Sequence, residues 1–278
     1  MSSDVVRLYP APSVELPLEG LYLAHDLQHL GTAMRPFVYS NFITSLDGRI
    51  SQPDPTTGHR RVPPSIANAH DWRLYTELAA QADVVLTTAR HLRAVAAGRH
   101  SNLLSLDSEL IRWRRSRGLS ERPVVAALSV ALEIPARALR EITAAPIVAI
   151  TCDETSTEKA QALEAEGIEV VRAGAGPLLS GKAVVGTLAE RGHRSIYSVA
   201  GPQVLHTLLQ ADVLDRLYLT IAQVLLGGEA FDTLTRGSIL DPPRGFDLAE
   251  LYLDRLAPTG LTQLLATFER ATPALHAE

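Results

Sequence analysis

The 278-residue sequence predicts an α/β fold with a mixed, mostly parallel sheet and an antiparallel C-terminal hairpin. Two patterns carry that expectation. From Val124 to Leu209, short apolar or β-branched runs alternate with stretches of helical period, the signature of strand–helix–strand crossovers. Further on, Leu248–Leu256 and Gly260–Glu269 form two strand-like runs around Pro258-Thr-Gly260, a hairpin. The composition, 46% hydrophobic and 21% charged, belongs to a chain that buries a core rather than to a disordered one. Its length fits a single α/β domain with insertions.

Residues 1–34 contain Pro10, Pro12, Pro17 and Gly20 and keep no period, so an extended arm is expected there, lying on a single domain of residues 35–278. The first strand is Pro36–Ile43, running into Thr44-Ser-Leu-Asp-Gly48. Ser45 and Asp47 thus sit at a strand's carboxyl end, where open α/β sheets bind ligands; Asp-Gly is equally an ordinary turn signal. Ser51–Pro64, with Arg60 and Arg61, is a Pro- and Gly-containing loop, either a solvated connection or a lid. A helix over Ser65–Gln81 places Leu74 and Leu78 on one face, and Asp83–Thr88 is a short buried strand. Arg90, His91, Arg93, Arg99 and His100 follow it. They make a solvated face or, directly after a strand end, a holder for phosphate, which Arg suits. Arg112, Arg114, Arg115 and Arg117 belong to a helix whose basic residues are expected in solvent while Trp113 packs inward.

Strands Val124–Leu128, Ile147–Thr151, Glu169–Arg172 and Ser195–Val199 then alternate with helices Ala136–Glu141, Thr157–Glu166 and Gly181–Arg191. Gly174-Ala-Gly176 before Pro177 is a plain loop, because no G-x-x-G continues it. Asp215–Ala222 is a strand that leads through Val224 to the pair Gly227-Gly228. The C-terminal strands, taken as the sheet edge, are the expected dimer surface, since unpaired edges invite pairing.

A formal net charge of −5 gives no reason to expect a nucleic-acid partner. Cys152, the single cysteine, rules out a disulfide framework and fits a reducing compartment. Met1-Ser-Ser-Asp4 lacks the basic and apolar regions of a signal peptide, and the longest nearly apolar run, Val124–Ile134, is too short to span a bilayer. A soluble, cytoplasmic protein with no membrane partner is therefore expected. Zinc-dependent base deamination needs H-x-E with P-C-x-x-C; His276-Ala-Glu278 matches only the first part, and no metal site is expected. The sequence contains no G-x-S-x-G, H-E-x-x-H, P-loop or G-x-G-x-x-G motif.

The most informative stretch is Ser195–Leu205. Ser195–Val199 alternate as a strand, Gly201-Pro202 breaks it, and Val204, Leu205, Leu208 and Leu209 resume at helical spacing. Such a turn is a routine connection in α/β domains. It also aims free backbone N–H groups and the helix dipole at an anion. Glycine lets a phosphate come close, and Pro202 costs nothing in the first turn, where its missing N–H has no intrahelical partner.

Four fragments in series resemble one family. Asn41-Phe-Ile-Thr-Ser-Leu-Asp-Gly48 looks like the S-L-D-G strand end of the reductase domain of the bacterial riboflavin-biosynthesis deaminase–reductase, the RibD C-terminal domain family. Asp71–Thr88 is similar to its next helix and strand, Val199–Leu205 to its [EG]-G-P-T-L turn, and Leu214–Gly228 to its V-D-E-L-x-L-x-I-A-P-x-L-L-G-G segment. The likeness runs from Arg35 to Glu269. It implies a three-layer dihydrofolate reductase-like fold and an NADPH-dependent oxidoreductase, usually a homodimer. Hydride would pass from the nicotinamide to C1′ of the opened ribose of 5-amino-6-(5-phosphoribosylamino)uracil. The resemblance further implies that Ala200, Gly201, Pro202, Gln203, Val204 and Leu205 cradle the diphosphate, and that Thr87, Thr88 and Ala89 flank the cofactor. Ser129 would lie near the adenosine end. Ser45 would face substrate and nicotinamide, Asp47 would position substrate or help a proton reach its nitrogen, and Asn41, Arg90 and Arg99 would touch the substrate.

The departures concern the substrate side. Ala79 stands where the family has an Arg, and Arg93–Leu103 keeps nothing of a D-D-P-x-L-T-x-R run except Arg99 as a basic group. Val199 replaces a Glu that binds substrate in the family. Exchanging that carboxylate for an isopropyl group leaves pyrimidine donors unpaired, roughly 1–3 kcal/mol each if buried. The cofactor half is retained and the substrate half rewritten. A reductase of this fold with another substrate, such as a pterin, and a non-catalytic nucleotide-binding protein both remain open.

Overall fold

The computed structural model describes residues 4–99, 105–174 and 176–271, apart from the Ile142 side chain; His100 and the His276-Ala-Glu278 motif fall outside them. The N-terminal part gives strands β1 (Asp4–Tyr9), β2 (Val14–Pro17), β3 (Phe37–Ser45) and the small pair β4 (Gln52–Pro53) and β5 (Arg60–Arg61). Helix α1 (Ala69–Ala80), strand β6 (Val84–Thr88) and helices α2 (Ala89–Ala96) and α3 (Ser108–Ser116) follow. Then come β7 (Val124–Leu128), α4 (Ala136–Ile142), β8 (Ile147–Thr151), α5 (Thr157–Ala165), β9 (Glu169–Arg172) and α6 (Gly181–Glu190). The chain ends with β10 (Ser195–Ser198), α7 (Pro202–Gln210), β11 (Arg216–Ala222), β12 (Phe246–Asp254) and β13 (Gln263–Arg270).

All but β4 and β5 join one sheet in the order β2-β1-β12-β13-β11-β3-β10-β6-β7-β8-β9. From β11 to β9 every pairing is parallel, and from β11 back to β2 every pairing is antiparallel. The parallel strands are apolar on both faces because helices cover both. Tyr39, Val85, Val125, Ala127 and Tyr197 face one core with Leu74, Leu78, Leu110 and Leu139 of α1, α3 and α4. Their neighbours Val38, Val84, Leu86, Ala126 and Ile196 face a second core with Val184, Leu188, Leu205 and Leu208 of α6 and α7. The expected α/β class, mixed sheet and C-terminal hairpin are all present. No described helix is long and apolar enough to cross a membrane.

Three expectations change. The N-terminal segment is not an arm over the domain: β1 pairs with β12, and Val5, Leu18, Leu21, Tyr22 and Leu27 enter the first core. Side chains of α1 hold it in place. Buried Glu77 accepts from the N–H groups of Gly20 (2.6 Å) and Tyr22 (3.0 Å), and Gln81 accepts from that of Leu27 (2.9 Å). In consequence the C-terminal hairpin is not a sheet edge, since β1 flanks β12 and β11 flanks β13; the edges are β2 and β9. Finally, Arg114 is fully buried rather than in solvent, donating to the carbonyls of Ala80 (2.9 Å), Ala82 (2.7 Å) and Ser120 (2.6 Å). Burial pushes its pKa down to about 10, so it stays charged at neutral pH.

Helix α1, which follows β3 through β4 and β5, packs in the first core, and α7 leaves the neighbouring β10 for the second. That divergence opens a crevice beyond the carboxyl ends of β3 and β10, the place where open α/β sheets bind ligands.

Candidate active site

A cleft of about 520 Å³ occupies this crevice, walled by Asn41 to Ile43 of β3, by the start of α1 and by Val199 to Pro202. The β10–α7 turn has the form expected of an anion site. Gly201 is the N-cap, with φ −73° and ψ −173°, no side chain caps the helix, and Pro202 opens it. By contrast, α1, α2, α3, α5 and α6 are capped by Asn68, Thr88, Asp107, Ser156 and Ser180, while α4, with Pro135 at its N-cap, shares the lack of a side-chain cap. Any residue can adopt the φ of Gly201, and a Cβ added there would meet no protein atom within 4 Å. Neither backbone nor packing therefore demands glycine; its effect is to leave open space over the first turn. Among the described residues, the N–H groups of Gly201 and Gln203 donate to no protein acceptor, whereas those of Val204 and Leu205 bond the Gly201 carbonyl at 3.0 and 3.2 Å.

Beyond the turn lies a second cavity of about 190 Å³, lined by Leu128, Ser129, Gln203 and Val204. The N-terminus of α7 thus stands between two cavities. Ala200, Gly201 and Pro202 line the larger one, while Ser129, Gln203 and Val204 line the smaller. Leu205 differs from expectation, because its side chain is buried in the second core and its N–H is committed within the helix. Thr87, Thr88 and Ala89 line neither cavity. Thr88 instead caps α2, accepting from the His91 N–H at 3.3 Å, and Ala89 packs in the first core. The buried Thr87 hydroxyl has no hydrogen-bond partner among the described residues. Open space and two unpaired amides at the β10–α7 turn suit an anionic group, and the Thr87 hydroxyl stands outside that space.

Ser45 and Asp47 are bonded to each other, to Arg49 and to the Gly227 loop. The Ser45 hydroxyl donates to Asp47 and accepts from the Arg49 N–H at 3.0 Å. Asp47 accepts from the N–H groups of Gly227 (2.8 Å) and Leu226 (3.3 Å) and pairs with Arg49 at 2.6 Å. Gly227 and Gly228 have φ of +65° and +88°, which explains the glycine pair. The S-L-D-G and L-L-G-G motifs are therefore two halves of one clamp. The Ser45 hydroxyl and the backbone donors hold the Asp47 carboxyl down to about 2. It is ionised at neutral pH, has no proton to give, and lines neither cavity.

On the substrate side, Asn41 lines the cleft and its Oδ1 accepts from the Tyr197 hydroxyl. Arg99 lines it too, 3.5 Å from His59 Nε2 and with no carboxylate partner among the described residues. Arg90 is exposed and outside the wall. The Ser51–Pro64 loop contributes Arg60, paired with Asp232 at 3.4 Å, and Arg61, paired with Asp54 at 2.8 Å. Val199 and the helix residues Asp71, Trp72 and Tyr75 complete the wall. Sequence reasoning missed those three as site residues. An Asp in the first turn of an amphipathic helix looks like a dipole partner, and nothing local reveals that it borders a cleft.

The sequence profile of the RibD C-terminal domain matches residues 36–251, and the chain belongs to that family. No curated protein matches it in sequence. Among solved structures, a pyrimidine reductase-like protein of Corynebacterium diphtheriae is similar with a TM-score of 0.61 at 20% identity, over 85% of this chain and 92% of that one. RibD of Acinetobacter baumannii gives 0.61 at 16%, over 87% of this chain and 59% of that one. The riboflavin biosynthesis reductase Rib7 of Saccharomyces cerevisiae gives 0.57 at 16%, over 91% and 99%. At such identities the likeness is one of fold.

Proposed function

We propose that this protein is an NADPH-dependent reductase of the riboflavin-pathway type, transferring hydride to the opened ribose C1′ of a ribosylamino-pyrimidine phosphate. The observation that carries the reading is the uncapped, glycine-opened N-terminus of α7 between two cavities. The N–H groups of Gly201 and Gln203 would hold the pyrophosphate with the helix dipole behind them. Ser129, Gln203 and Val204 would border the adenosine side, and the larger cleft would take nicotinamide and substrate together. The cofactor supplies the hydride when bound. The protein holds donor and acceptor carbons together and excludes water. Within the cleft, Asn41 would orient the substrate, and Arg99 would meet an anionic substituent. The Ser45–Asp47 clamp keeps the cleft's neighbouring loop in place and takes no part in proton transfer.

The reading also includes a cytoplasmic homodimer, which needs a surface other than the C-terminal hairpin. Titration with NADPH tests the proposal: a dissociation constant in the micromolar range is expected, and no binding below about 1 mM contradicts it. Val199 favours a second reading in the same frame, a reductase whose ring substrate is not the family's uracil.

A further inference from the structure

A continuous run of aromatic rings leaves the large cleft and crosses the first core. It starts at Trp72, which borders the cleft, is 39% exposed, and stacks on Tyr75 with centroids 5.0 Å and planes 8° apart. Tyr75 meets Tyr197 at 5.5 Å, Tyr197 stacks on Tyr39 at 5.0 Å, and Tyr39 meets Tyr218 edge-on at 6.5 Å. Every step lies within the contact range of aromatic pairs, about 4.5–7 Å between centroids. Trp72 and Tyr75 border the cleft, whereas the three tyrosines behind them line neither cavity and belong to the first core.

The far end of the run differs chemically from its middle. Burial pushes the phenols of Tyr39, Tyr75, Tyr197 and Tyr218 up, so they are neutral. A neutral phenol gives up an electron readily when its proton can leave with it. The Tyr39 hydroxyl donates to the Leu78 carbonyl at 2.9 Å and that of Tyr197 to the Asn41 amide oxygen, and neither acceptor is a base at neutral pH. The Tyr218 hydroxyl accepts from Arg216 Nη1 at 3.2 Å and lies 2.7 Å from His25 Nδ1. It therefore donates its proton toward an imidazole, which is a base. The other ring nitrogen, Nε2, stands 3.0 Å from Glu250. Burial works against it, yet the bonds from His25 and Tyr252 hold the Glu250 carboxyl below its ordinary range. An imidazolium formed at His25 thus has an ionised partner.

We infer that this run carries oxidising equivalents out of the cleft to Tyr218, where His25 takes the phenolic proton. A one-electron oxidant in the cleft, such as an oxygen-centred radical, removes one electron from the Trp72 indole and is itself reduced. An electron from Tyr218 refills the indole by way of the rings of Tyr39, Tyr197 and Tyr75. The Tyr218 O–H bond breaks as its proton passes to His25 Nδ1. The products are the reduced oxidant, a neutral Tyr218 radical and an imidazolium paired with Glu250. Hydride transfer moves two electrons together and does not use this route, which needs no bound cofactor. Its effect is to keep oxidative damage away from the cleft wall.

The test uses the full chain carrying Ala69→Cys. Position 69 is exposed in the first turn of α1, three residues before Trp72, and the native Cys152 is buried, so a ruthenium polypyridyl label attaches at position 69. Flash excitation with a cobalt(III) ammine quencher makes ruthenium(III), the one-electron oxidant, beside the cleft. Transient absorption and freeze-quench EPR identify the radicals. An indole radical that gives way to a tyrosyl radical is expected. Tyr218→Phe and His25→Gln should each lower the tyrosyl yield at least tenfold and prolong the indole radical. An unchanged tyrosyl yield in either variant, or no tyrosyl radical in the labelled protein that keeps both residues, overturns the proposal. Should those variants not fold, Tyr197→Phe serves, because a phenyl ring is a poor relay. It should slow the loss of the indole radical at least tenfold, and an unchanged rate overturns the route.

Discussion

Gly201→Ala separates the two reasons a glycine can occupy the β10–α7 turn. Its φ of −73° is open to alanine, and the new Cβ meets no protein atom within 4 Å. The folded protein then loses only the N-cap preference for glycine over alanine, about 0.5–1 kcal/mol. In a chain of this size that amounts to roughly 1–4 °C in Tm. The methyl group stands instead in the space above the free amides of Gly201 and Gln203. A hydrogen bond from such an amide to an anionic phosphate contributes about 1.5–3 kcal/mol. Displacing one of them weakens NADPH binding by roughly 10- to 150-fold. The assay pairs NADPH titration by fluorescence with a thermal melt on the same preparation. Unchanged affinity would refute the phosphate cradle, and so would a melt lowered by about 10 °C or more, since the glycine would then be there for the fold.

Three further outcomes are expected. Arg114→Met removes the donor from three carbonyls in the protein interior and, at about 1–3 kcal/mol for each acceptor left unsatisfied, should cost about 3 kcal/mol or more in urea unfolding; a loss below about 1 kcal/mol contradicts that role. Asp47, held at about 2 against an ordinary 3.8, contributes stability that is present above pH 3.8 and is lost as pH falls from there toward 2. Asp47→Asn should therefore flatten the acid limb of the stability profile, and an unchanged limb argues against the clamp. Arg99→Ala should raise the KM for a phosphorylated substrate about tenfold with kcat nearly constant, the mark of lost uniform binding; an unchanged KM removes Arg99 from the site.

The central crossovers were legible because β6 to β10 are short β-branched or apolar runs with helices of clear period between them, so local pattern and final burial agree. The Gly201-Pro202 turn was legible for the same reason. What escaped depends on residues far apart in the chain. Val5 pairs with Asp254, and no feature of a Pro-rich N-terminus discloses a partner that distant. Arg114 belongs to a run that looks solvated, and its burial follows from carbonyls at Ala80, Ala82 and Ser120. Ser45 and Asp47 stand at a strand's carboxyl end as expected, yet their partners near Gly227 turn them away from the cleft. Asp71 gains its place only when Thr220 and Val199 are brought beside the same helix.

The most direct measurement is the crystal structure of the NADPH complex, read at the pyrophosphate. Phosphate oxygens about 3 Å from the backbone nitrogens of Gly201 and Gln203 are predicted, with the adenosine toward Ser129 and the nicotinamide in the larger cleft. A dinucleotide lying elsewhere on the sheet, with those two nitrogens facing only water, would contradict the account.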